Sequence, residues 1–202
     1  MRWRLDHLVV SAENLVAGRA WAEAALGVPM QQGGEHDLMG THNLLLGLGD
    51  LYLEVIAINP DAPNPQRPRW FDLDNFSGPP RMTHWAVSCD DLTRAAQEFD
   101  ADCGVITNFT RGDLRWRVAL SATGRTAFDD AAPLMIEWQG AVRVPPRLTD
   151  QGARLNGLNI KSPEALDLAR AMGDIRQVEF TKADTKSLTA RFDTLSGPKV
   201  LG

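Results

Sequence analysis

Two apolar segments, each interrupted by a single glutamate, constrain this chain more than any other feature. Residues 51–58 read LYLEVIAI, with Glu54 as the only charge, and residues 134–139 read LMIEWQ, with Glu137 as the only charge. Apolar runs of this length that contain Val, Ile, Tyr or Trp indicate buried strands. Because an unpaired carboxylate in a core costs several kcal/mol, each glutamate must be paired, protonated or bound to a metal.

Each of these segments closes a repeated unit whose first strand carries a histidine. Residues 5–10, LDHLVV, hold His7, and residues 82–89, MTHWAVSC, hold His84. A helix-like segment and two strand-like segments lie between the first and the last strand of each unit. The order strand, helix, strand, strand, strand therefore occurs twice, which predicts two βαβββ modules.

The repeat divides the chain into two modules, a linker and a third partial copy. The modules occupy residues 1–58 and 81–140, and the linker 59–80 holds six of the twelve prolines. Residues 153–202 repeat the order strand, helix, strand, strand, but Gly157 stands where the other copies carry histidine. We expect this partial copy to cover or extend the sheet without adding a group to a functional site.

The expected fold class is α+β, with the paired βαβββ modules forming a cupped mixed sheet around a cavity. One module alone leaves an apolar sheet face uncovered, so two modules are expected to pair and bury it. The sequence leaves two arrangements open, since the modules can pair within one chain or across a homodimer.

The histidines and glutamates at equivalent positions of the two modules predict a metal site. Facing modules would bring together two imidazoles and two carboxylates, from His7, Glu54, His84 and Glu137. This donor set suits Zn, Ni, Mn or Fe(II). A carboxylate can also leave the metal and act as a base, so Glu54 and Glu137 are candidate catalytic residues. The alternative is that each histidine–glutamate pair is a buried, hydrogen-bonded structural pair.

Two arginines form a second candidate group. Arg115 and Arg117 alternate with Trp116, so both point to one face of a strand. If that face lines the cavity, a guanidinium can bind a carboxylate or phosphate of the substrate. If it is the outer face, both arginines are ordinary solvated charges. His36 and His42 are further polar candidates whose roles stay open.

The two-module pattern resembles the glyoxalase-like domain family of the vicinal oxygen chelate (glyoxalase/bleomycin resistance/dioxygenase) superfamily. The segments that carry the resemblance are LDHLVV, GTHNLLLGLGDLYLEVIAINP, GDLRWRVAL and APLMIEW. The resemblance implies metal ligands on the first and last strand of each module, which fall on His7, Glu54, His84 and Glu137. It also implies a metal-dependent lyase or isomerase that acts on a small carbonyl-containing substrate. A ferrous extradiol-type dioxygenase and a metal-free small-molecule-binding protein are the alternatives.

Charge and composition exclude several classes of partner. A net charge of −5 offers no basic surface to nucleic acid. The sequence has no run of about 18 apolar residues and no apolar signal segment near its start. The two cysteines, Cys89 and Cys103, form no disulfide framework. We therefore expect a cytoplasmic protein, without a membrane span, whose partner is a small molecule.

Overall fold

The computed structural model describes residues 3–202 and shows two βαβββ modules followed by a third unit. The first module consists of β1 (Arg4–Ser11), α1 (Leu15–Leu26), β2 (Gln31–His36), β3 (Thr41–Gly47) and β4 (Tyr52–Ile58). The second consists of β5 (Arg81–Ser88), α2 (Leu92–Glu98), β6 (Val105–Arg111), β7 (Leu114–Leu120), the short α3 (Ala127–Asp130) and β8 (Leu134–Trp138). The third unit consists of β9 (Arg154–Ser162), α4 (Ala165–Met172), β10 (Val178–Lys182), β11 (Ser187–Thr194) and β12 (Gly197–Leu201).

The two modules form one curled eight-stranded sheet within a single chain. Its strand order is β2-β3-β4-β1-β5-β8-β7-β6, and the modules join where β1 pairs with β5 in antiparallel fashion. The sheet curls into a half-barrel, and its edge strands β2 and β6 contact each other. The predicted α+β fold with a cupped sheet is therefore confirmed.

Both faces of the curled sheet are buried, because side chains of successive strand residues alternate between them. The convex face packs against the helices through residues such as Leu8, Leu53, Trp85 and Met135. The concave face forms a separate core that includes Val9, Ile56, Trp116 and Ile136. Polar side chains on the concave strands are thus enclosed by apolar neighbours, which sets the conditions for a functional site.

The proline-rich linker closes the concave face. It contains a 3₁₀ segment, Trp70–Asn75, whose Trp70, Phe71 and Leu73 are buried in the concave core. Phe71 and Asp72 have φ angles of 61° and 51°. These left-handed conformations are unfavourable for residues other than glycine and persist only where the surroundings enforce them. The linker is therefore a packed wall of the cavity.

The third unit forms its own four-stranded sheet, with the order β10-β9-β11-β12. Its buried side chains, among them Leu158, Ile160 and Phe192, join the core on the convex face of the large sheet. No helix among residues 3–202 is long and apolar enough to cross a bilayer.

Candidate functional site

His7 lies on the concave face of β1 and is held in one orientation. Its Nδ1 is 2.8 Å from Asp6 Oδ1, and the ring of Tyr52 stacks on the imidazole at a centroid distance of 4.5 Å. Trp138 Nε1 donates to the other oxygen of Asp6 at 2.8 Å. Since a carboxylate only accepts, His7 carries a proton on Nδ1 and presents Nε2 to the cavity.

Glu54 lies on β4 beside His7 and is fixed through one of its two oxygens. Asn43 Nδ2 donates to Glu54 Oε1 at 2.5 Å, and the amide oxygen of Asn43 accepts from the backbone N–H of Gly34 at 2.8 Å. The second oxygen, Oε2, lies 3.6 Å from His7 Nε2. Both residues are almost fully buried. The predicted proximity of His7 and Glu54 is what the structure shows.

The two atoms that face each other are both proton acceptors in their ordinary states. With Nδ1 of His7 protonated towards Asp6, Nε2 has a lone pair, and ionised Glu54 has only lone pairs. A proton, or a polar hydrogen of a bound molecule, is therefore required between them. A histidine–carboxylate pair with one shared proton can take a proton from a substrate and return it.

A cavity lies in front of this pair, and both residues line it. Its wall is mostly apolar with a few polar groups, as is typical of small-molecule sites. The walls include Trp70, Phe71 and Trp116. Tyr52 also lines the cavity, and burial, together with the negative charges of Asp6 and Glu54, raises the pKa of its phenol well above the usual value. Tyr52 is therefore a neutral phenol at physiological pH.

Two consecutive glycines of β2 make room for the site. A Cβ on Gly33 would lie 2.0 Å from Asn43 Oδ1, and a Cβ on Gly34 would lie 2.9 Å from Cδ of Arg111. Neither distance is compatible with an added methyl group unless the neighbour moves. Gly33 therefore allows the amide of Asn43 to reach both Glu54 and the backbone of β2, and Gly34 leaves room for the side chain of Arg111.

We expect Gly33→Ala to destabilise the protein by about 1–3 kcal/mol, because overpacking displaces Asn43. Gly157→Ala is the matched control in β9, where the added Cβ would meet only the flexible guanidinium end of Arg191. Urea unfolding of both variants measures the difference. Equal unfolding free energies for the two variants would show that Asn43 has another position available.

His84 also lies on the concave face, but it contacts a different set of residues. Its Nε2 is 3.0 Å from Asp130 Oδ2, and Lys186 Nζ donates to the same oxygen at 3.1 Å. The ring of Phe71 packs against the imidazole with centroids 5.1 Å apart. Burial, and then the charge of Lys186, lowers the pKa of His84. Lys186 belongs to the third unit, but neither it nor Asp130 lines the cavity in front of His7 and Glu54, so the expectation that this unit adds no group to the functional site stays a prediction.

Glu137 points away from the cavity, so the structure does not bring it to His84. Its Oε2 accepts from the backbone N–H of Leu92 at 2.7 Å, at the start of α2, and pairs with Arg117. Ile136 belongs to the concave core, and alternation along β8 turns Glu137 to the other face. The expected cluster of two histidines and two glutamates is therefore corrected to one pair, His7 and Glu54.

Arg115 and Arg117 also lie outside the cavity. Trp116 and Val118 point into the concave core, so the alternating arginines point outward. Arg115 donates to the backbone carbonyls of Gly112 and Leu114, and Arg117 pairs with Glu137. Of the two alternatives left open by the sequence, the structure places both arginines on the outer face.

The guanidinium that does line the cavity belongs to Arg111, at the end of β6. Its Nη1 is 3.2 Å from Nε2 of His36, which also lines the cavity. In the sequence, Arg111 follows the apolar Phe109 by two residues, which places both on one face of a strand but does not show that this face lines a cavity. His42 does not line this cavity, and burial lowers its pKa.

The donor set does not fit a metal ion held by the protein alone. His7 and Glu54 supply two ligands, whereas catalytic zinc sites use three protein ligands. In residues 3–202, no group of three or more His, Cys, Asp or Glu side chains is placed to hold an ion. The other two predicted ligands, His84 and Glu137, are engaged by Asp130 and Arg117.

Comparison with known families agrees with this architecture. A family model described as "Glyoxalase-like domain" matches residues 5–191. The chain belongs to the glyoxalase-like domain family. Comparison with curated proteins gave no match.

Several solved structures align with this chain at low sequence identity. A hypothetical protein from Staphylococcus aureus aligns with a TM-score of 0.60 at 10% identity, over 93% of this chain and 88% of that chain. Methylmalonyl-CoA epimerase from Mycobacterium tuberculosis aligns with a TM-score of 0.45 at 16% identity, over 68% of this chain and 88% of that chain. A variant of Streptomyces coelicolor methylmalonyl-CoA epimerase, in complex with 2-nitronate-propionyl-CoA, aligns with a TM-score of 0.47 at 15% identity, over 70% of this chain and 100% of that chain. Identities this low leave activity to be argued from the site.

Proposed function

We propose that this protein is a glyoxalase-like isomerase or lyase that moves a proton on a small carbonyl-containing substrate. The observation that carries the proposal is the pair His7 Nε2 and Glu54 Oε2, 3.6 Å apart. Each partner is fixed by a hydrogen bond to its other polar atom, and the two free atoms face the cavity that both residues line. Fixed acid–base groups beside a mostly apolar cavity favour proton transfer to a bound molecule.

The chemistry begins with one proton on the pair, carried by His7 as an imidazolium that Asp6 stabilises. Ionised Glu54 takes a proton from the carbon next to the substrate carbonyl, and the electron pair moves onto the carbonyl oxygen. His7 donates its Nε2 proton to that oxygen, or to the carbon in an isomerisation. The pair then holds one proton again, now on Glu54, and the reverse transfers complete the cycle. The apolar walls exclude water and strengthen each charge interaction.

Whether the proposed activity depends on a metal ion can be measured directly through metal binding. With two protein ligands, we expect Zn, Ni, Mn and Fe(II) to bind more weakly than about 1 µM at neutral pH. Any binding should weaken further as the pH falls below about 6.5, since a metal ligand must be neutral histidine. Calorimetry on the wild type and on His7→Ala and Glu54→Gln measures this, with His42→Ala as the matched control. Binding tighter than about 1 µM that both site variants lose would establish a metal-dependent site.

The proposed function is tested by proton exchange in D₂O. The protein is incubated with a panel of small aldehydes, ketones and 2-oxo acids, and ¹H NMR follows loss of the hydrogen next to the carbonyl. We expect enzyme-dependent exchange with at least one compound and its loss in Glu54→Gln. Binding of a carbonyl compound without exchange would favour the metal-free binding protein, and oxygen consumption with Fe(II) would favour the dioxygenase.

A further inference from the structure

Arg111 places a positive charge in the wall of the cavity that contains His7 and Glu54. In the part of the chain that the structure describes, the guanidinium contacts His36 and forms no ion pair with an aspartate or glutamate. Arg111 is half-buried and lines the cavity. A partly buried guanidinium without a counter-charge is costly, and a negatively charged ligand supplies that counter-charge.

His36 fixes the position of Arg111 without neutralising it. Burial, followed by the charge of Arg111, lowers the pKa of His36 to about 3, so the imidazole is neutral at physiological pH. Its Nδ1 lies 3.1 Å from Thr41 Oγ1, and its Nε2 accepts from Arg111 Nη1 at 3.2 Å. The edge of the Trp70 ring packs against the imidazole at a centroid distance of 5.0 Å. The guanidinium is thus oriented by a neutral acceptor and keeps its full charge.

The curl of the sheet brings Arg111 into place. His36 ends β2 and Arg111 ends β6, and these are the two edge strands of the large sheet. Gly34 leaves the space through which the side chain passes, since a Cβ there would lie 3.0 Å from Arg111 Nη1. The guanidinium therefore lies where the two sheet edges meet, in the wall of the cavity.

We propose that Arg111 binds a carboxylate of the substrate, and that the substrate is a small carbonyl compound with one negative charge, such as a 2-oxo acid. This inference rests on the proposed role of His7 and Glu54 for its carbonyl half. A carboxylate fits better than a phosphate dianion because Arg111 is the one permanently charged cation among the described residues of the cavity wall. A phosphate dianion carries one negative charge more than Arg111 neutralises, and the ionised carboxylate of Glu54 in the same cavity would repel that charge.

The test measures binding separately from turnover. The probes are 2-oxobutanoate, its uncharged amide and phosphoglycolaldehyde, each titrated by calorimetry into the wild type, Arg111→Gln and Arg111→Lys. We expect the wild type to bind 2-oxobutanoate more tightly than the amide. Arg111→Gln should weaken 2-oxobutanoate binding by about 10–100-fold, the equivalent of a charge-assisted hydrogen-bonded pair, and leave the amide unaffected. Arg111→Lys should retain part of the affinity, since it keeps the charge and loses the planar geometry.

Arg115→Gln is the matched control, because that arginine lies on the outer face and should not affect binding. Equal binding of the acid and the amide by the wild type, or an unchanged affinity in Arg111→Gln, would overturn the proposal. Preferred binding of the phosphate probe would also overturn it. The proposed function is judged separately, since Glu54→Gln should abolish proton exchange while the carboxylate probe still binds.

Discussion

Glu54→Gln should reduce proton exchange on a carbonyl substrate by about 10²–10⁴-fold, the contribution of a positioned acid–base group. Glutamine keeps the shape of glutamate but has no carboxylate to accept a proton. Its amide oxygen can still accept from Asn43, as Oε1 of Glu54 does. The loss of activity is therefore expected without a loss of structure.

The same substitution should leave the melting temperature unchanged or raise it. In the wild type, one proton serves both Glu54 Oε2 and His7 Nε2, which are 3.6 Å apart. In the variant, a glutamine N–H can point at Nε2 of neutral His7 in place of that proton. Removing a buried charge without stranding an opposite charge is often neutral or stabilising. A combination of lower activity and retained stability is the signature of a catalytic carboxylate, and it can be read from exchange rates and thermal unfolding of one variant.

Glu137→Gln is the matched comparison on the outer face. It breaks the pair with Arg117 and weakens the acceptor for the Leu92 N–H, so a modest drop in melting temperature is expected with exchange retained. If Glu137→Gln abolished exchange as fully as Glu54→Gln, the sequence-based assignment of a catalytic role to both glutamates would be supported. If Glu54→Gln melted several degrees lower and kept its exchange rate, Glu54 would be a structural partner of His7.

The repeat in the sequence predicted the fold but could not place Glu137. In β4, Tyr52 pairs with His7 and Glu54 pairs with Val9, two residues on, so His7 and Glu54 share a face. In β8, Ile136 pairs with Ser88, four residues after His84. Ser88 and its partner Ile136 therefore lie on the same face as His84. Because side chains alternate along a strand, the next residue, Glu137, lies on the opposite face. Both strands are apolar on both sides, so the sequence pattern alone carries no information about which face is concave.

The cavity wall depends on packing that local sequence cannot reveal. Proline content predicted a linker at 59–80, and its aromatic residues indicated that it packs against the protein. The sequence could not show that Trp70 and Phe71 fill the concave face. Arg111 lines the cavity because the sheet curls until β2 and β6 meet, and curling is a property of the whole sheet. Residues whose role depends on contacts between distant strands therefore became apparent only in the structure.

The largest change in stability is expected for Asp130→Asn, because Asp130 lies between two buried partners. Oδ2 contacts His84 and Lys186 at 3.0 and 3.1 Å, and Oδ1 accepts from the backbone N–H of Thr126 at 2.8 Å. Burial by itself would raise the pKa of Asp130, but the contacts with His84 and Lys186 outweigh it, and the pKa lies well below the usual value. Asp130 is therefore ionised in the folded protein across the neutral range.

Asparagine isolates the loss of charge at this position. Asp130 has a φ of 68°, and the preceding Phe128 and Asp129 are also left-handed, at 54° and 50°. Asparagine tolerates this conformation well, so Asp130→Asn should add little backbone strain. It should leave the ammonium of Lys186 largely buried without a counter-charge, and burial already lowers the pKa of Lys186. We expect a loss of about 3–5 kcal/mol in the free energy of unfolding, which is large beside the total stability of a domain.

Urea unfolding of Asp130→Asn, alone and with Lys186→Met, tests this account. The second substitution removes the stranded ammonium and should restore most of the stability, whereas Asp150→Asn, in an exposed pair with Arg154, should change little.

The stability that Asp130 provides should also depend on pH, because the pKa of Asp130 is lowered in the folded protein. Its contribution to the free energy of unfolding is complete above the unfolded-state pKa of about 3.9, and it disappears as the pH falls through the folded-state pKa. The difference between wild type and Asp130→Asn should therefore be constant near pH 7 and shrink below about pH 4. A difference that stayed constant down to about pH 2, or a double variant no more stable than Asp130→Asn, would mean that the charge of Asp130 does not support the fold through Lys186.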